Sequence, residues 1–252
     1  MKNAIVILTL LIGAMCCGQD AFAKAESLFT AKDYPAAKVQ FEALMKQGYQ
    51  NETVLRRLGD IEALANRYEN ASNYYEKLLQ LDPKNADYHF LYGGTLGLYA
   101  QQISKLDALS YIDDIKSHLK SAANLDPSHI EARWALVQFY CELPGILGGS
   151  LRTSRQYADE LLEISPVDGY LAHGFIAEYD EEYKDAEAHY KKAVLTGGSM
   201  TTYKKLADLY EKKTKEYLKA LVIYQEAYSK LKDDTILDEI ARIKTEHDLV
   251  GD

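Results

Sequence analysis

The sequence predicts an all-α protein assembled from short helix pairs, and three observations carry that prediction. Apolar residues recur at helical spacing along most of the chain, and the strict alternation of half-buried strands is hard to find. Proline is scarce, at five, and Pro83, Pro127 and Pro166 fall where an apolar helical pattern stops. Small and large residues also return at matching offsets in successive segments, the signature of a repeat array. The chain has 252 residues, enough for one large domain or a continuous stack of such pairs.

Met1 to Gly18, MKNAIVILTLLIGAMCCG, reads as a signal peptide. Lys2 supplies the positive start, and the apolar run from Ala4 to Met15 is too short to span a bilayer comfortably. Cleavage is expected between Gly18 and Gln19, because the second candidate site, after Ala21-Phe22-Ala23, would cut into the first helix. Cys16 and Cys17 are candidate lipid anchors, although neither follows the small residue that such a site prefers. No second long apolar segment follows, so the rest of the chain is expected to be exported to the periplasm or cell envelope without a transmembrane segment. One cysteine, Cys141, then remains; it cannot form an internal disulfide and is expected to be a small buried residue.

The repeat is clearest from Asn51 to Pro83. Leu55, Leu58, Gly59 and Glu62 mark a first helix; Ala71, Tyr75 and Leu78 mark a second, which ends at Leu81-Asp82-Pro83. Gly59 and Ala71 are small where two helices approach, and Tyr75 is large where space must be filled. The same order returns in segments of about 19–50, 86–129, 130–167, 168–199 and 200–233. The first of these is weak in its first helix, where Lys24 replaces an apolar residue, as suits a terminal repeat. The third copy (Tyr92, Gly93, Leu96, then Leu119, Ala122) holds about ten extra residues, expected to lengthen its helices and their connection. The fourth contains the insertion Leu143–Ser150, LPGILGGS. The fifth (Gly174, Ala186, Tyr190) and sixth (Ala207, Ala220, Tyr224) are expected to be regular, and 235–249 reads as an amphipathic capping helix with Ile236, Ile240 and Ile243 on one face.

These residues resemble the tetratricopeptide repeat (TPR), a helix pair of about 34 residues, and the resemblance covers nearly the whole chain after residue 18. It implies an α-α superhelical solenoid of about six helix pairs whose first helices line a concave groove. It also implies a non-catalytic scaffold with a protein or peptide partner and no cofactor. The second, fifth, ninth and twelfth places of each copy would face that groove. They include Arg56 and Asp60 in copy two, Phe90 and Gly94 in copy three, Trp134 and Gln138 in copy four, and Leu171 and Phe175 in copy five. Charged ends with an aromatic middle are what binding hot spots look like; the alternative is that a one-residue phase error turns Trp134 and the phenylalanines into the core. The groove lacks the Lys and Asn places of a carboxylate clamp.

A second expectation is a subunit of a solute-transport or envelope-assembly complex, with a ligand pocket near copies three and four. Gly148, Gly149 and Ser150 precede a helix, where backbone N–H groups can hold an anion or simply form a turn. The six histidines show no metal spacing, and nothing resembles a nucleophile elbow. The net charge of −9, with no basic stripe, argues against nucleic acid and anionic membrane surfaces as partners.

Overall fold

A computed structural model describes residues 20–249. The expected signal peptide, with Cys16 and Cys17, lies outside the described residues. Among those residues every regular element is helical, and the chain divides between Pro127 and Ser128 into two compact units.

Unit one holds α1 (20–30), α2 (Tyr34–Lys46), α3 (Glu52–Leu64), α4 (Tyr68–Leu81), α5 (Ala86–Ala100), the short α6 (Lys105–Ala108) and α7 (Ile112–Leu125). Contacts are sequential: α2 packs on α3, α3 on α4, α4 on α5 and α5 on α7. Starts are set by side chains that accept an otherwise orphaned N–H: Asp33 from Ala36, Asn51 from Val54, and Asn85 from Tyr88. The α3–α4 pair shows why the repeat needs a small residue opposite a large one. A β-carbon on Gly59 would lie 2.4 Å from Tyr75 Cε1, so only glycine lets the buried ring of Tyr75 lie against α3. Glu62, 1% exposed, holds α2, α3 and α4 together by accepting from Lys38 Nζ at 2.7 Å and from Arg67. Burial alone would raise its carboxyl, but the hydrogen bonds from Arg67 and Lys38 outweigh that and hold it below the usual range.

The third copy departs from expectation. Its helices are not lengthened, since α5 and α7 have 15 and 14 residues. The extra residues form a separate element instead, α6 followed by the 3-10 turn Leu109–Tyr111. Ser104 starts it: its Oγ accepts from Asp107 N and donates to Asp107 Oδ2 at 2.7 Å, a side-chain N-cap that restarts the helix after a break.

Unit two holds α8 (Ile130–Glu142), the 3-10 turn Gly145–Leu147, α9 (Leu151–Ile164), α10 (Pro166–Tyr179), α11 (Tyr183–Gly197), α12 (Met200–Asp208), α13 (Tyr217–Leu231) and α14 (Thr235–Glu246). Each helix again packs on the next. Pro166 opens α10 at a position where its missing N–H costs nothing, two residues before the expected repeat boundary. The small-against-large pairing returns at Gly174 and Tyr190, 2.4 Å apart if a β-carbon is placed on the glycine. Gly198, with φ +53, closes α11 as its C-cap. In α14, Ile236 and Ile243 are fully buried and Ile240 packs beside them, so the capping helix covers the last pair.

Copies one, two, five and six share a turn between their helices that the sequence does not announce. Lys32, Asn66, Glu181 and Lys215 all have φ near +60. The next residue in each case donates back across the turn: Asp33 to Leu28, Arg67 to Glu62, Glu182 to Ala177 and Glu216 to Tyr210. In copies one, two and five the bond spans five residues and is the Schellman closure of a helix end, made here without glycine, whereas in copy six it spans six. Copy six, expected to be regular, carries one residue too many. Tyr75 follows Gly59 at the same distance as Tyr190 follows Gly174, but Tyr224 follows Ala207 one residue later. The surplus is absorbed by a π-helical turn, Leu209–Lys213, where Thr214 N donates to Leu209 O.

Candidate functional site

The candidate face in unit two is built from α8 and α10. Trp134, on α8, is half-buried, with Val137 and Leu171 among the core residues beneath it. Its indole Nε1–H donates to Asp168 Oδ1 at 2.9 Å, and Ser165 Oγ donates to Asp168 Oδ2 at 2.6 Å. Asp168 is therefore oriented from the start of its own helix and fixes the indole on the neighbouring one. Phe175, two turns further along α10, meets Trp134 edge-on with ring centroids 6.5 Å apart and planes at 67°. Both rings sit at the margin of the core, neither enclosed by it nor projecting from it. Gln138 follows one turn after Trp134 on α8 and is exposed. Further along α10, Glu178 accepts from Tyr190 Oη at 2.8 Å and faces Lys213 Nζ at 3.5 Å.

Leu171 is a correction. It is 7% exposed and shares a core cluster with Tyr203, Leu206 and Ala207 of the following copy, so it is not available to a ligand. The packing of the surrounding helices decides this, and the fifth place of a single copy does not reveal it.

The loop Gly148, Gly149 and Ser150 is a turn with its donors already used. Gly148 N donates to Gly145 O, Gly149 N to Pro144 O, and Ser150 N to Tyr140 O. Ser150 Oγ accepts from Thr153 N at 3.2 Å and so caps α9. A β-carbon on Gly149 would lie 1.6 Å from the Leu143 carbonyl oxygen. Gly149→Ala is expected to cost about 1–3 kcal/mol through the forced shift of that turn, with a matching fall in the urea midpoint. An unchanged midpoint would show that the turn yields freely. A cleft of about 700 Å³ lies elsewhere in unit two, between the starts of α11 and α13, lined by Glu182, Tyr183, Asp185, Thr214, Glu216 and Lys219. Cys141 is buried at 3% exposure, and burial beside Glu142 and Asp180 pushes its thiol up to about 11, against any nucleophilic role.

In unit one the expected groove residues divide. Arg56 and Asp60 are half-exposed and bound to each other, Arg56 Nε donating to Asp60 Oδ1 at 3.0 Å. Tyr75 Oη donates to the same oxygen at 2.9 Å, so Asp60 also serves the core. Arg57, unremarked in the sequence, adds a two-pronged contact to Glu26 at 2.9 and 3.0 Å and lies over the Phe29 ring. Phe90 and Gly94 are half-buried on α5, with room for a β-carbon at Gly94, 3.7 Å from Phe90 Cε2.

No protein-family model matches the chain, and no curated protein matches it. Solved structures do. A tetratricopeptide repeat protein from Parabacteroides merdae superposes with TM-score 0.63 at 18% identity, covering 91% of this chain and 86% of that one. A thermophilic TPR protein from Thermus thermophilus gives 0.50 at 18% identity, with coverages of 90% and 98%. YrrB, described as a TPR protein with an unusual peptide-binding site, gives 0.52 at 18% identity, with coverages of 72% and 87%. The sequential helix pairs superpose on these solved TPR structures over most of the chain: the chain has the tetratricopeptide-repeat fold.

Proposed function

We propose that the chain is a non-catalytic scaffold that binds a peptide or partner-protein segment on the α8–α10 face, working in the periplasm or cell envelope. The observation that carries this reading is the Trp134–Phe175 pair. Two aromatic rings stand half-exposed on neighbouring first helices, and Asp168 fixes the indole before any ligand arrives. A pre-oriented aromatic pair loses little side-chain freedom on binding, which is where weak interfaces lose affinity. YrrB, of the same fold, carries a peptide-binding site by its own description. The export part of the reading rests on the amino-terminal sequence, and protein sequencing of the mature chain should then start at Gln19.

Trp134 is the single tryptophan of the chain, so its emission reports on this face directly. Peptides selected from a displayed random library against the full chain are expected to shift that emission. Phe175→Ala should weaken their binding at least about tenfold, or about 1.4 kcal/mol, while the helical signal and thermal midpoint stay near wild type. Trp134→Ala, followed by calorimetry, should do the same. Selected peptides that bind both variants as tightly as the wild type would move the site elsewhere.

A further inference from the structure

The strongest feature outside the proposed face is a histidine pair in unit one, where α5 packs on α7. His89 Nδ1 lies 2.9 Å from His118 Nδ1, and the rings are tilted by 31° at 5.0 Å. On its other side His89 Nε2 lies 3.0 Å from the carbonyl oxygen of Pro83. A carbonyl oxygen only accepts, so Nε2 of His89 carries its proton. In the neutral ring Nδ1 of His89 is then an acceptor, and His118 Nδ1–H must donate to it. The hydrogen bonds run from α7 through α5 to the turn that follows α4, and they assign both tautomers.

We infer that the His89–His118 pair is a proton-operated latch that holds α7 on α5 at neutral pH and opens in acid. The first added proton goes to the free nitrogen of His118 and leaves the bond in place. The second must occupy Nδ1 of His89, where it meets the Nδ1–H of His118 at 2.9 Å, donor against donor. The contact cannot survive that state. His118 cannot turn aside cheaply: its ring stands edge-on to Tyr92 at 4.8 Å, and a β-carbon on Gly93 would already lie 2.9 Å from His118 Cβ.

The groups around the pair bear on both charge states. On α7, Asp114 sits one turn before His118 and favours its charge, while burial and the charge of His89 oppose it and together bring it below the ordinary histidine range. On α5, the Tyr92 phenol is pushed up by burial and by Glu76 of α4, Asp114 and Tyr111. It therefore stays neutral and offers no charge to balance a second proton. A histidine held low in the folded chain contributes stability above its unfolded value, near 6.5, and that stability is lost as pH falls below it.

Unit two contains a contrasting pair. His118 and His189 directly precede the residues, Leu119 and Tyr190, that lie against Gly93 and Gly174. Yet His189 stacks on His173 at 5.1 Å and 21°, and His173 Nε2 faces Asp159 Oδ1 at 3.0 Å. A proton on His173 meets a carboxylate there. The latch therefore belongs to the copy with the α6 insertion, and acid loosens that copy's helix pair.

The test is nitrogen–proton correlation spectroscopy of the histidine rings in the full chain. At pH 7.5 His118 is expected as the Nδ1–H tautomer and His89 as the Nε2–H tautomer. On acidification the Nδ1–Nδ1 hydrogen bond should be lost, and the thermal midpoint should fall as it goes. In His89→Gln the amide can still accept from His118 and donate to Pro83 but cannot be protonated. His118 should then take up its proton at higher pH, because the opposing charge of His89 is gone, with a smaller acid-induced fall in the midpoint. An Nε2–H tautomer for His118 in the neutral wild type would overturn the latch, and that reading needs no variant to fold. So would an unchanged His118 midpoint in His89→Gln.

Discussion

Tyr190→Ala is expected to destabilise the chain by about 3–5 kcal/mol, the cost of removing a large aromatic residue from a close-packed core. Tyr190 is 0% exposed and its ring fills the space that Gly174 leaves open. No neighbour collapses easily into that space, because Ala186 and Ala193, its fellow core residues on α11, carry nothing longer than a methyl group. Its Oη donates to Glu178 Oε2 at 2.8 Å, and burial and that carboxylate together push the phenol well above its ordinary range. The two contributions separate experimentally. Tyr190→Phe keeps the ring and is expected to lose only about 1 kcal/mol, because Glu178 is half-exposed and water can replace the hydroxyl. Urea denaturation of both variants measures this. Equal losses would place the hydroxyl, and not the ring, at the centre of the repeat.

Arg242→Met is expected to cost roughly 2–4 kcal/mol, because it leaves a carboxylate buried without its cation. Glu211, in the π-helical turn, is almost fully buried and accepts from both arms of Arg242 on α14, at 2.7 and 2.9 Å. The guanidinium is about a third exposed, which keeps the cost at the lower end. Hydrogen bonds from Arg242, working against burial and helped by His247, hold the Glu211 carboxyl at about 2. A carboxyl lowered in this way contributes stability that is complete above its unfolded value, near 4.5, and is lost as pH falls toward 2. In Arg242→Met that trend should flatten or reverse, since burial alone raises a carboxyl and protonation then relieves it. Urea midpoints of both proteins between pH 7 and pH 3 give the comparison. Parallel profiles would mean that the capping helix is held by Ile236 and Ile243 alone.

The helix pairs were legible because their signal is local. Gly59 with Tyr75, Gly174 with Tyr190, and the helix stop at Pro83 each lie within one copy, at a spacing that a single chain displays. What stayed hidden depends on neighbours or on an offset. Leu171 reads as a surface residue until the packed helices place it in a core that extends into the next copy. Asp168 and Trp134 lie far apart in sequence, and only the packing of α10 beside α8 brings the carboxylate to the indole. The surplus residue of copy six leaves the small and large positions on either side of it intact, so each helix looks regular alone. The length of the third insertion was readable, but its form was not, because the N-cap at Ser104 makes a new short helix where longer helices were expected.

The π-helical turn at Leu209–Lys213 has a consequence for how such a chain tolerates change. A residue added there does not shift the outward face of α12 and does not displace Tyr224 from its place beside α12, since the turn takes up the offset in one widened loop of backbone. The joint between the two helices of a copy thus acts as an expansion gap. Length can drift at the joints by insertion and deletion while the outward faces of the first helices keep their register, free to diverge by substitution alone.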